Sequence, residues 1–135
     1  KIYHYLYMKG FLSLKKIKLT KKSFRWYQGH FTLNDNNKKN TLLLDSIKIP
    51  ETLYNEGIYI RNWRHGDKFY LEDQKSFCSV NKMFNKKGMS VFEKKIHPIL
   101  TDSKNNILHI PKIYNGIKEE KNKMIKLAWW NNEQN

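Results

Sequence analysis

The stretch Ser79-Val-Asn-Lys-Met-Phe-Asn-Lys-Lys-Gly-Met-Ser-Val-Phe-Glu-Lys-Lys-Ile-His-Pro98 carries the clear helix signals of this 135-residue chain. Within it, Ser90-Val-Phe-Glu93 has the form of a capping box. The Ser90 hydroxyl accepts from the Glu93 backbone N–H, and the Glu93 side chain reaches back to the N–H of Ser90. A short helix from Val91 to about His97 is predicted, and Pro98 ends it by excluding helical backbone at the residue before it. Upstream, Val80, Met83 and Phe84 recur at i, i+3 and i+4, the spacing of one apolar helix face. Gly88 separates the two short helices.

Outward from this pair, the chain reads as strands and turns. Ile99–Thr101 and Ile107–Pro111 flank Asp102-Ser-Lys-Asn-Asn106, a turn cluster typical of a hairpin. A turn at Asn55-Glu-Gly57 leads into Ile58–Trp63, where Ile58 and Ile60 face one side and Tyr59, Arg61 and Trp63 the other, the pattern of a half-buried strand. Further back, Phe24–Leu33 and Thr41–Ile49 are rich in β-formers and flank the polar break Asn34–Asn40, which reads as a hairpin loop; Pro50 ends the second strand. Met124–Trp130 reads as a last strand before a frayed polar tail, Asn131–Asn135. The predicted fold is α+β: a small, mostly antiparallel sheet with two short helices, preceded by a basic β-hairpin segment. Residues 1–56 form a basic β-rich lead-in, residues 57–130 the main domain and residues 131–135 the tail.

Charge points to a partner. The chain holds 26 Lys and Arg against 12 Asp and Glu, a formal net charge of +14, and an excess of that size favours polyanions. Of the 26, 23 are Lys, and Asn occurs 15 times. Codon bias in an A+T-rich genome produces the same composition, so the count alone is discounted. Residues 1–33 carry eight basic side chains and no acid, and residues 57–100 carry nine against four. Lys1–Lys22 reads either as a solvated lead-in or as a polyanion-binding arm. Apolar residues at 39% suffice for a core. Cys78 alone makes no internal disulfide or Cys-based zinc site, which fits a reducing, intracellular setting. Apolar runs such as Leu42–Leu44 fall far short of the roughly 20 residues of a membrane span, so a soluble protein is expected. The chain starts with Lys, and is expected to be part of something longer.

Nucleotide and metal chemistry find little support. No GxGxxG or GxxxxGK[ST] pattern exists, so neither a dinucleotide turn nor a P-loop is present. His4, His30, His65, His97 and His109 are not spaced as HExxH or HxH, and no metal site is expected. Cys78 reads as a small core residue. His97, at a helix end, reads as a cation near terminal carbonyls, and His109 as a structural residue within an apolar strand.

One constellation remains, Arg61-Asn-Trp-Arg-His-Gly-Asp-Lys-Phe69. Two arginines, an aromatic and a glycine turn suit phosphate oxygens, through Arg forks and exposed backbone N–H groups. Asp67 in the same turn either pairs with Arg61 or Arg64 or accepts from backbone N–H groups. Lys82, Lys86, Lys87, Lys94 and Lys95 add cations across the two short helices.

The order of these pieces resembles the C-terminal domain of tRNA(Ile)-lysidine synthetases. That family shows a strand ending in Arg-x-x-Arg-x-Gly-Asp-[Arg/Lys]-Phe, then a Lys-rich helix, a second short helix closed by Pro, and a hairpin ending in a Val/Ile-Pro-x-Ile-like segment. The matching residues are Ile60–Phe69, Val80–Phe84, Phe92–Asp102 and Ile107-Leu-His-Ile-Pro-Lys-Ile113, and the resemblance spans about Gly57 to Trp130. Residues 42–50 also resemble the strand preceding that domain. His65 and Asn81 depart from the family pattern, which favours Pro or a basic residue at the first and Lys at the second.

The resemblance implies the non-catalytic, tRNA-binding part of a cytoplasmic, ATP-dependent ligase that joins lysine to the wobble cytidine of an isoleucine tRNA with a CAU anticodon. ATP and lysine would be used by a separate catalytic domain bearing a Ser-Gly-Gly-x-Asp-Ser loop. This chain has no such loop, and no catalytic residue or cofactor is assigned to it. Its partners would be the tRNA and the catalytic domain of the same polypeptide, with no membrane; a homodimer stays open. Arg61, Arg64, Lys68, Lys82, Lys86 and Lys87 are the candidate tRNA-facing residues. The alternative is a basic structural or interaction module that docks to a catalytic domain or second subunit without touching RNA.

Overall fold

β-branched and aromatic residues recur through the strands, which make up a little under half of the described residues, since such side chains pack well on a pleated, covered surface. The computed structural model describes residues 15–34 and 41–132. In chain order the elements are β1 (Lys16–Lys18), β2 (Ser23–Trp26), β3 (Gly29–Leu33), β4 (Thr41–Pro50), α1 (Glu51–Glu56), β5 (Ile58–Arg61), β6 (Lys68–Leu71) and β7 (Ser76–Ser79). Then come α2 (Val80–Lys86), α3 (Val91–Ile96), β8 (Ile99–Asp102), β9 (Ile107–Ile110), β10 (Tyr114–Asn115) and β11 (Met124–Asn132). The fold is α+β and its strand pairs are antiparallel.

Three sheets form: β1-β5-β8-β9-β10, β2-β3-β11-β4, and the hairpin β6-β7. The five-stranded sheet is the middle layer. Neighbouring residues on its strands point to opposite faces, so Ile58, Ile60 and Leu100 join one core with Trp26, Phe31, Leu33, Ile49 and Leu127 of the four-stranded sheet. Ile99 and Ile110 point the other way, into a second core with Trp63, Phe69, Val80 and Phe84 beneath α2 and the small hairpin. Strand β5 is therefore covered on both faces: Ile58, Ile60 and Arg61 are buried, as is Trp63 just beyond it, where the alternation suggested a half-buried strand.

The strands of residues 15–50 are woven into this body. β1 adds to β5 at the edge of the middle sheet, and β11 inserts between β3 and β4, pairing with both. The expected hairpin across Asn34–Asn40 is therefore replaced: β3 pairs with β2 around Tyr27-Gln28, and β4 lies beyond β11. Residues 35–40 of that loop, residues 1–14 of the basic lead-in and residues 133–135 lie outside the described residues. Strand β11 runs on to Asn132, paired with Thr41, so Asn131 and Asn132 belong to the sheet.

The two anticipated helices are present, the second with its predicted capping box and the first with an unanticipated cap. Ser90 and Glu93 form the reciprocal box at 3.1 and 3.0 Å, and Ser79 caps α2 by accepting from the Lys82 N–H. Gly88 between them takes φ 74°. Helix α1 lies where the sequence suggested only a turn; it is six residues long, and Gly57 at φ 112° closes it. Among the described residues no helix is long and apolar enough to cross a membrane.

Candidate nucleic-acid interface

The motif Arg61–Phe69 folds around one carboxylate. Asp67 accepts from Arg61 Nη1 at 2.8 Å and Nη2 at 2.9 Å, and from the backbone N–H of Arg64 at 2.8 Å. Both alternatives for Asp67 are thus realised together, a bidentate ion pair and a turn bond. The Asp67 carbonyl accepts from the Val80 N–H at 3.0 Å, which ties the turn to the start of α2. Gly66 takes φ 88°, a conformation that costs a residue with a Cβ.

Arg61 is 0% exposed. Its remaining donors go inward, Nε to Asn105 Oδ1 at 2.9 Å and Nη1 to the Asn62 carbonyl at 2.8 Å. Of the six candidate residues it alone is buried, and a guanidinium so enclosed holds the turn rather than a ligand. Arg64, Lys68, Lys82, Lys86 and Lys87 are all exposed. Lys68 pairs across the hairpin with Ser79, the cap of α2, so Arg64, Lys68 and Lys82 gather around one junction. Lys82 and Lys86 are four residues apart and share the helix face opposite buried Val80 and Phe84. Lys87 caps the C-terminal end of α2.

Helix α3 adds cations from the other side. Lys94 Nζ donates to Asn81 Oδ1 at 2.9 Å and also bonds Asn85 Oδ1, linking α3 to α2. Lys94 and Lys95 lie over the Trp63 ring at 6.0 and 5.3 Å, and His65 packs on the same ring at 4.7 Å. Buried Trp63 is thus the floor under a group of positive charges rather than a contact itself.

The histidines at the other end of α3 are structural. His97 is buried, its Nε2 donating to the Pro111 carbonyl at 2.9 Å. Burial pushes its imidazole below the ordinary histidine range; the Pro111 bond and the Asp45 charge pull it upward, while Lys112 and His109 add to the lowering. His97 is therefore a neutral packing group, in place of the cation its helix-end position suggested. His109, inside β9, meets Asp45 of β4 at 2.9 Å and joins two sheets. Cys78 is half-buried and packs against the second core.

Two surface aromatics belong to no motif of the sequence. Tyr70 and Phe77 stand opposite each other on β6 and β7 and are 41% and 63% exposed.

A scan against family models finds no match, and a search of curated proteins finds none. Among solved structures, the chain is similar to a crystal structure of the TILS C-terminal domain, with a TM-score of 0.67 and 16% identity over 88% of this chain and 98% of that one. The chain has the fold of that domain.

Proposed function

We propose that this chain is the tRNA-docking, non-catalytic part of a tRNA(Ile)-lysidine synthetase. The observation that carries the reading is the fold, which it shares with the TILS C-terminal domain over nearly the whole of both chains. The exposed cations Arg64, Lys68, Lys82, Lys86 and Lys87 support it, because they crowd around one turn and one short helix. Duplex RNA is met largely through phosphates and 2′-hydroxyls, so a docking surface needs a broad spread of cations more than base-reading side chains. The domain would hold an isoleucine tRNA with a CAU anticodon while a catalytic domain of the same polypeptide uses ATP to attach lysine to the wobble cytidine. Tethering of this kind turns weak phosphate contacts into a high effective concentration of substrate at the distant centre.

The test is binding of the chain to that tRNA across a salt series. Reversing Lys82, Lys86 and Lys87 to Glu weakens affinity and flattens the dependence of log K on log salt, by roughly 0.7 to 0.9 for each phosphate no longer neutralised. Unchanged affinity and slope overturn the assignment of these lysines. A second reading, docking to a protein without touching RNA, draws on exposed Leu42 and Leu43 at the start of edge strand β4. Under it, RNA affinity disappears at physiological salt.

A further inference from the structure

The hairpin β6-β7 obeys the period of two on its inner face and breaks it on the outer one. Phe69, Leu71 and Cys78 turn inward onto the second core. The outer face of a hairpin with one side on a core is ordinarily polar. Here it shows Lys68, Tyr70 and Phe77, with Phe77 more exposed than any other large apolar residue described.

The two rings stand 5.2 Å apart at an interplanar angle of 71°. A T-shaped pair covers one face of one ring and neither face of the other, so open π surface remains. Lys68 Nζ lies over the Phe77 ring, 5.5 Å from its centroid, which sets a cation against one face of that ring. Beyond Lys68, at its rung with Ser79, lies the junction that carries Arg64 and Lys82, tied together by the Asp67–Val80 and Ser79–Lys82 bonds. The hairpin is held from beneath by Phe69 against Tyr114 at 4.4 Å and by the Tyr114 hydroxyl donating to the Tyr70 carbonyl at 3.2 Å. The acidic residues Glu72 and Asp73 lie in the turn, at the end of the hairpin away from Lys68, and Glu72 faces Lys118 at 3.6 Å.

We propose that Tyr70 and Phe77 form a stacking platform for an unpaired nucleobase at the edge of the duplex that the neighbouring cations hold. An open aromatic face beside a cation suits this occupant: every base has a π-face, and its phosphate meets the lysine. A protein partner would also cover apolar rings, yet Lys68 over Phe77 favours RNA, since it can meet the phosphate of a stacked base. The inference rests on the RNA-docking reading and deepens it, adding single-stranded RNA to the duplex as a ligand.

The experiment compares two probes at one salt concentration: a short RNA duplex with a single-stranded extension, and the same duplex blunt-ended. The chain should bind the extended duplex roughly tenfold more tightly, within the range of a single base–aromatic stack. Phe77→Leu, which keeps apolar bulk and removes the π-face, should abolish the difference and leave blunt-duplex affinity unchanged. Phe77→Trp should keep it. A thermal melt of each variant matching the parent excludes unfolding, as expected for so exposed a position. Equal binding of both probes by the parent chain, or a preference that survives Phe77→Leu, overturns the platform while leaving duplex docking intact and assigns the rings to a protein contact. Failure of the parent to bind either probe overturns the RNA-docking reading itself.

Discussion

The guanidinium of Arg61 and the carboxylate of Asp67 meet in two parallel hydrogen bonds of 2.8 and 2.9 Å, with Arg61 sealed from solvent. This pair bears on the motif that most suggested phosphate binding. One of its two arginines holds the turn in shape, so that Arg64 and helix α2 are presented outward.

Removing Asp67 leaves the Arg61 charge buried and unmatched, and removing Arg61 leaves half-buried Asp67 with the Arg64 N–H in place of a counter-charge. Asp67→Ala or Arg61→Ala is expected to lower stability by about 3 to 5 kcal/mol, as for other buried pairs broken on one side. Arg61→Lys should not restore it, since an ammonium lacks the planar fork. Urea denaturation measures the loss. The salt slope of RNA binding by the remaining folded fraction should stay that of the parent chain, and a reduced slope for Arg61→Ala, which removes the charge, would show Arg61 to touch phosphate.

How much of this is legible in the sequence follows the range of each interaction. The α2–α3 pair, the capping box and the β8-β9 hairpin depend on residues a few positions apart, and the sequence displays them. The insertion of β11 between β3 and β4 brings Leu127 beside Leu33 and Ile47, and no local pattern announces so distant a pairing. A hairpin across Asn34–Asn40 is what the short-range pattern suggests, and this long-range pairing displaces it. The same limit applies at the site. Clustering around Gly66 points to Arg64, Lys68 and Lys82, whereas the burial of Arg61 depends on Asn105, more than forty residues away, reaching its Nε. Tyr70 and Phe77 become visible only once β6 and β7 fix which face each ring occupies.

His97 gives the fold a pH dependence of definite sign. Burial holds its imidazole neutral at pH values where an unfolded histidine, with a pKa of about 6.5, takes up a proton. The unfolded chain then binds more protons than the folded one, so stability from this group is complete above that value and declines as pH falls through and below it. His97→Gln, which retains a donor toward the Pro111 carbonyl without titrating in this range, should flatten the decline between about pH 7 and pH 5. Thermal melts across that interval, compared between parent and variant, provide the check. A parent chain that gains stability on acidification through this range would show the sign to be wrong.

Gly29 begins β3 opposite Asn131, and a Cβ built there would lie 2.1 Å from the Trp130 carbonyl oxygen. That oxygen belongs to the backbone of a strand paired on both sides, so it cannot swing away as a flexible side chain would. Gly29→Ala should therefore cost about 1 to 3 kcal/mol, the range for overpacking in a tight interior. Denaturation midpoints test this. Gly66→Ala is a useful contrast: its Cβ would meet nothing within 4 Å, and its cost comes from the positive φ alone.

Helices α2 and α3 are seven and six residues long. Such short helices are marginal alone, so caps and packing decide whether they form. Ser79→Ala leaves the Lys82 N–H without its acceptor and should cost about 1 kcal/mol. Ser79→Asp keeps an acceptor and should hold or raise stability, because a negative charge at a helix N-terminus is favourable. The two replacements diverge in function. Ser79→Ala, while the chain stays folded, leaves the cations of the site in number and should preserve the salt slope of RNA binding. Ser79→Asp adds a negative charge directly across the hairpin from Lys68 and beside Lys82. It should weaken RNA binding several-fold while the melt stays level, and a variant binding as tightly as the parent would move the RNA away from this end of α2.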